Sequence, residues 1–268
     1  SHTPPMSPTR RHFIGGLSTA LAATWTETLR AAPDPKKDVV IGHGKHRYKV
    51  NKDWVPAGQG RFHPILNCHE MVQVKDGRLF MVGDHWDNQM LVFKPDGTIL
   101  DSWGSAWPGG HGLTLSQENG EEFLFLTDSG LWKSGGGGYR QTGRVTKMDL
   151  TGKEIFSLSH PMMVGAYEPD MFYNPTEVAV APNGDIYVVD GYGSQFVLRY
   201  DSNGKFIQRF GGKDGVPLEQ RLNNAHGIAI DTRPGADKAT VIVTSRADNC
   251  FRRFTLDGKY LETIEVPG

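Results

Sequence analysis

Cysteine, one-sided charge and long apolar runs are all scarce in this 268-residue sequence. Two cysteines, Cys68 and Cys250, are too few for a disulfide-stapled mini-fold or for a zinc site built from four thiolates. They could close a single bridge only if their Cα atoms approach within ~7 Å. The sequence leaves that open and reads more simply as two separate, largely buried thiols. Lys and Arg number 29 against 30 Asp and Glu, a net charge of −1, which excludes a broad phosphate-neutralising surface and with it a nucleic-acid partner. The one apolar stretch near the N-terminus, Ile14 to Trp25, is too short and too glycine-rich for a ~20-residue membrane span. With 38% hydrophobic and 22% charged residues, the remainder has the composition of an ordinary globular chain.

That N-terminal stretch follows Thr9-Arg10-Arg11-His12-Phe13-Ile14 and ends near the small pair Ala31-Ala32. A charged start, a short apolar region and small residues beyond it make a secretory signal, and the paired arginines are of the twin-arginine type. Residues 1–35 therefore read as signal and linker, and residues 36–268 as the folded part of an exported, periplasmic or extracellular protein.

Glycine is abundant: 33 residues, about 12% against a usual ~7%, so the chain turns often. The turns recur in register. CHEMVQVKDGRLFMVGDHWDNQMLVFKPDGTILDSWG (68–104) matches NPTEVAVAPNGDIYVVDGYGSQFVLRYDSNGKFIQRFG (174–211). Both alternate apolar and polar residues with period two, and each run stops at an Asp-Gly or Asn-Gly pair suited to tight hairpins. Two further units, with insertions at 129–143 and 233–238, complete a series at about 67–104, 109–160, 174–211 and 224–266. Four strands per unit at this period predict an all-β propeller. The expectation is four blades of a six-bladed propeller that is incomplete at its C-terminal end. The segment 39–53 offers a strand or two, to the closing blade.

Propeller topology places the chemistry. The approach to strand one and the turn after strand two share a face, opposite the Asp-Gly turns. Before strand one lie His69, His111, Thr176 and His226; after strand two lie Asp84-His85, Asp128, Asp190–Tyr192 and Arg246–Asp248. Three blades thus carry a histidine at one axial position, and converging neutral imidazoles are natural ligands for zinc. Asp84, Asp128 and Asp190 read as structural acceptors for turn N–H groups. No axial Glu, Asn or Asp set replaces the histidines. The insertion SGLWKSGGGGYRQTG (129–143) reads as a flexible glycine-rich loop on the histidine face, carrying Trp132, Tyr139 and Arg140. It would serve as a lid or be a tolerated surface insertion.

These units resemble NHL repeats, and the order of motifs resembles peptidyl-α-hydroxyglycine α-amidating lyase, a six-bladed propeller family. The resemblance covers about 67–266 and is closest over NPTEVAVAPNGDIYVVDGYG and YDSNGKFIQRFG. It implies a zinc ligand at His111 in GGHGLTL and a second at His226 in AHGIAI. It also implies a catalytic tyrosine at Tyr192 in DGYG and a catalytic arginine at Arg246 in SRADN. The family's third zinc histidine lies in a later blade than this chain reaches, and His69 is the remaining axial candidate here. Where the family has a catalytic arginine in its first blade, this chain reads VGDHWDN, and Arg140 is a candidate to stand in for it.

The function expected is an exported metal-dependent lyase or a relative of one, acting on a small-molecule or peptide substrate. Zinc is the expected cofactor, with an additional structural calcium as a further expectation. The alternative is a non-catalytic NHL-repeat module that recognises a protein or glycan on its open face. Oligomeric state cannot be read from the sequence.

Overall fold

A computed structural model describes residues 39–134 and 137–266. The twin-arginine run and the apolar stretch behind it fall outside the described residues. The described residues divide into two units, with the boundary between Asn51 and Lys52. In the first unit, β1 (Val40–His43) and β2 (His46–Lys49) pair antiparallel as a two-stranded ribbon of their own. The strands expected from 39–53 are therefore present, and they pair with each other.

The second unit consists mainly of four four-stranded antiparallel sheets, each made of strands in chain order, with one ribbon inserted in the second. The first sheet is β3 (Cys68–Gln73), β4 (Leu79–His85), β5 (Asn88–Phe93) and β6 (Ile99–Trp103). The second is β7 (Gly110–Glu118), β8 (Glu121–Asp128), β11 (Arg144–Asp149) and β12 (Glu154–Ser157). Between its middle strands it carries a separate ribbon of β9 (Leu131–Ser134) and β10 (Gly137–Arg140). The third is β13 (Glu177–Val180), β14 (Ile186–Val189), β15 (Phe196–Tyr200) and β16 (Phe206–Gly211). The fourth is β17 (Ala225–Asp231), β18 (Thr240–Ser245), β19 (Cys250–Thr255) and β20 (Tyr260–Glu265). The first strands β3, β7, β13 and β17 neighbour one another in chain order. This is the blade arrangement of a β-propeller.

The sequence period explains the packing. Successive side chains of a strand point to opposite faces, so a blade's second strand is apolar on both. Ile186 and Val188 of β14 enter the core between the second and third blades with Phe125, Val145 and Leu198. Tyr187 and Val189 enter the core between the third and fourth with Val241, Val243 and Phe254. Phe80 and Val82 of β4 meet Leu124 and Leu126 of β8. Met81 joins Leu91, Phe93 and Ile99 on the other face of the first blade, which Trp54, Val55 and Ile65 cover. Burying one such side chain contributes roughly 1.5–3 kcal/mol, so the stacked blades hold the rim that follows.

Two local expectations change. Both cysteines are free thiols, and Cys68 is exposed rather than buried; it faces outward at the first residue of β3. Where a flexible loop was expected at 129–143, residues 131–134 and 137–140 pair as a β-ribbon: Tyr139 pairs directly with Trp132, and their rings stack at 4.3 Å.

Candidate active site

All three axial histidines sit in β-bulges. In β3, Cys68 pairs with Gly83 and Glu70 with Val82, leaving His69 as the extra residue. In β7, Gly110 pairs with Asp128 and Gly112 with Thr127, leaving His111. In β17 the register breaks between Ala225 and Ile228, and the N–H groups of His226 and Gly227 both donate to the Thr244 hydroxyl, at 3.1 and 2.6 Å. A bulge bends its strand and re-aims the extra side chain; here the extra residue is a histidine each time.

The re-aimed rings meet. The His69 and His111 rings stack with centroids 4.7 Å apart, and the His111 and His226 centroids are 4.8 Å apart. Tyr192 from the third blade enters between the last two. Its hydroxyl lies 3.2 Å from His111 Nε2 and 2.9 Å from His226 Nε2. The proton positions follow from the partners. His111 Nδ1 lies 2.9 Å from the Thr176 carbonyl, which only accepts, so Nδ1 carries the proton and Nε2 is a lone pair. Tyr192 therefore donates to His111, and His226 Nε2–H donates to the phenol oxygen. Burial, then the neighbouring His69, push the His111 imidazole down to about 4 despite the Thr176 carbonyl. Burial and the Arg246 guanidinium also push His226 down.

Close backbone approach makes this possible. A Cβ on Gly112 would stand 2.6 Å from the Thr176 carbonyl oxygen that holds His111. A Cβ on Gly191 would overlap the Ala225 carbonyl at the start of β17. The Tyr192 turn itself hangs on Asp190, which is wholly buried. Asp190 accepts from the Asn174 N–H at 2.6 Å, the Ser194 N–H at 2.7 Å and the Tyr167 hydroxyl at 2.7 Å. Burial raises its carboxyl to about 6 against these donors. Asp84 and Asp128 likewise accept turn N–H groups, from Asn67 and from Gly109 and Gly130. The repeated aspartates thus have the structural role expected of them.

Arg246 opens a 3-10 turn after β18, exposed, with its guanidinium carbon 5.9 Å from the Tyr192 ring centroid. Arg140, at the end of β10, donates from Nη2 to the Tyr192 carbonyl and from Nε to Asn174 Oδ1, both at 2.9 Å, and stacks on Phe172. Its guanidinium is committed to holding the Tyr192 turn, so it does not replace the absent first-blade arginine as a free cation.

Two acidic residues escaped the sequence reading. Glu70 and Glu177 follow the axial position in the first and third blades, where the second and fourth carry Gly112 and Gly227. Glu70 accepts the Leu113 N–H at 2.6 Å; Glu177 accepts that of Ile228 and bonds Glu70. Burial raises both, with Glu70 pushing Glu177 to about 8. They line a cavity of about 890 Å³ along the inner strands. The visible signal was the alternation of acid and glycine one residue past the rim.

Among the described residues, no group of three His, Cys, Asp or Glu is arranged to hold a metal ion. Two donors nonetheless suit one. His111 has its Nδ1–H on a carbonyl and its lone pair at Nε2, the arrangement usual for a ligating histidine, and His226 would ligate through Nε2 in its other tautomer, with the proton moved to Nδ1. His69 instead turns Nε2 toward Asp84, at 3.6 Å. The residues fit two of the three ligands usual in a catalytic zinc site.

No family model matches the chain. NHL repeat-containing protein 3 of mouse is 30% identical over 213 residues, 70% of this chain and 59% of the relative; the human protein is 29% identical over 211 residues, again 70% and 59%. A Caenorhabditis elegans protein described as a probable peptidyl-alpha-hydroxyglycine alpha-amidating lyase is 37% identical over 120 residues, 44% of this chain and 30% of that protein. The chain thus spans about three fifths of the length of the first two relatives. Among solved structures, regucalcin from Agrobacterium tumefaciens matches with a TM-score of 0.51 at 14% identity, over 76% of this chain and 62% of that one. Virginiamycin B lyase from Staphylococcus aureus matches with a TM-score of 0.50 at 12% identity, over 83% and 60%; both likenesses concern the fold alone. The chain is a β-propeller of four-stranded blades that resembles NHL repeat-containing protein 3 and, over part of their length, the peptidyl-α-hydroxyglycine α-amidating lyases.

Proposed function

We propose that the chain carries the reacting rim of an exported, metal-dependent propeller enzyme of lyase type, acting on peptides that end in α-hydroxyglycine. The observation that carries this reading is the Tyr192 hydroxyl held between His111 Nε2 and His226 Nε2. It puts a proton-transfer group beside two metal-type donors and under a guanidinium. His111 and His226 would hold zinc, which when bound supplies Lewis-acid polarisation of a substrate oxygen. Once its own phenolic proton has left for solvent, with zinc in place on the two imidazoles, the Tyr192 phenolate would take the proton of the substrate's α-hydroxyl. As that oxygen becomes a carbonyl, the C–N bond breaks, and the proton returns to the departing amide nitrogen. The products are a peptide amide and glyoxylate. Arg246 suits the substrate carboxylate, which a planar guanidinium binds through two parallel N–H groups.

A stoichiometric metal in the purified protein, lost in His111→Ala, together with glyoxylate release from such a peptide, supports the reading. A metal-free protein without turnover overturns it and favours the second reading, a binding module recognising a protein or glycan. Two observations favour that module: the likeness to NHL repeat-containing protein 3, and Asp84-His85 standing where the lyase resemblance calls for an arginine.

A further inference from the structure

The ribbon β9–β10 stands beside this rim with features the reaction does not use. Trp132 and Tyr139 pair across it and stack at 4.3 Å, 18° from parallel, with Tyr139 50% exposed. The Trp132 indole N–H is buried and has no acceptor among the described residues. These two rings, with Leu131, Lys133, Arg140, Asn67 and Asp84, line a depression of about 350 Å³. The depression shares walls with the candidate site at two points. Asp84 reaches His69, which stacks on His111, and Arg140 bonds the Tyr192 carbonyl. The backbone that carries Tyr192 therefore lies within one arginine side chain of a partly exposed aromatic platform.

We propose that this depression is a specificity subsite for an aromatic or large apolar side chain of the peptide substrate, on a residue preceding the one that reacts. This rests on the lyase reading for the substrate's class. The chemistry of the wall points to that occupant. Stacked aromatic rings prefer a further flat or apolar partner. Lys133 and Arg140 stand in the wall beside Asp84, so it has no net negative charge to draw in a basic side chain.

The test compares acetyl-Phe-α-hydroxyglycine with acetyl-Gly-α-hydroxyglycine, and in parallel the binding of their unreactive glycine-ended counterparts followed by calorimetry. The parent should favour the phenylalanine substrate in kcat/KM by about five- to tenfold, expressed in KM, as an aromatic contact of this kind contributes. Tyr139→Ala should bring the two substrates within about twofold of each other, and Tyr139→Phe should restore the preference. Turnover without preference, or a preference that survives Tyr139→Ala, overturns the subsite and leaves the lyase reading standing. No turnover, with Tyr139-dependent binding of the phenylalanine peptide, retains the subsite and overturns the lyase. Neither turnover nor selective binding overturns both. Tyr139→Phe guards against misfolding as the cause of any loss.

Discussion

The first, second and fourth blades each open on a bulge that presents a histidine. The third opens in regular register on Thr176, whose N–H donates to the Val189 carbonyl. What the third blade gives up in imidazole it returns in two other groups: the Thr176 carbonyl that fixes the His111 tautomer and the Tyr192 hydroxyl that enters between His111 and His226. The turns differ in the same way. Asp84 in the first blade is partly exposed and bonds Asn67, whereas Asp190 in the third is wholly buried under three donors. A repeated scaffold thus makes an asymmetric site: three blades keep one device, and the blade that departs supplies a phenol on a rigid mount.

The largest effect should fall on that mount. Asp190→Ala leaves three donors without their acceptor, at about 1–3 kcal/mol for each buried group, so urea unfolding should show a loss of at least about 3 kcal/mol. Asp84→Ala, in a wetter turn, should lose about 1 kcal/mol. Equal losses would erase the distinction between the two blades.

The next effect is a pH dependence. The His111 imidazole in the folded state sits near 4, below its ordinary 6.5, so on acidification the unfolded chain takes the proton first. Its contribution to stability is intact above about 6.5 and is lost as pH falls toward 4, by up to about 3 kcal/mol. His111→Gln lacks this loss. Measured at pH 7 and pH 4.5, the stability difference between variant and parent should move in the variant's favour. A pH-independent difference would contradict the buried, neutral imidazole.

A smaller effect concerns Arg246, which faces the Tyr192 ring but is exposed. Arg246→Lys keeps the charge and loses the planar fork, so KM for a carboxylate-ended substrate should rise several-fold with kcat changed less. A fall in kcat at constant KM would make Arg246 part of the proton transfer instead.

Much of this architecture was legible before any coordinates. Period-two runs ending in Asp-Gly or Asn-Gly place the strands, and the glycines of those turns have positive φ, as at Gly77 and Gly184. Register alone put His69, His111, His226, Tyr192 and Arg246 on one face. The bulges were not legible, because an extra residue in a strand leaves no mark on an alternation only a few residues long. Nor was the Thr176 carbonyl, since a backbone acceptor has no sequence signature. Glu70 and Glu177 alternated with Gly112 and Gly227 in plain view, but their meaning depends on which neighbouring strand each acid reaches. The four glycines at 135–138 suggested a loose loop at 129–143, while the cross-strand pair Trp132–Tyr139 is a local contact that composition does not reveal.

The central claim is that the third blade's phenol does chemistry between the two imidazoles. Glyoxylate release from an α-hydroxyglycine-ended peptide, measured side by side for the metal-supplied parent and Tyr192→Phe, tests it most directly. General acid–base catalysis is typically worth 10²–10⁴-fold, so turnover should fall by at least about a hundredfold in Tyr192→Phe while its unfolding midpoint and metal content stay at the parent's values. Turnover in Tyr192→Phe equal to that of the parent would contradict the claim.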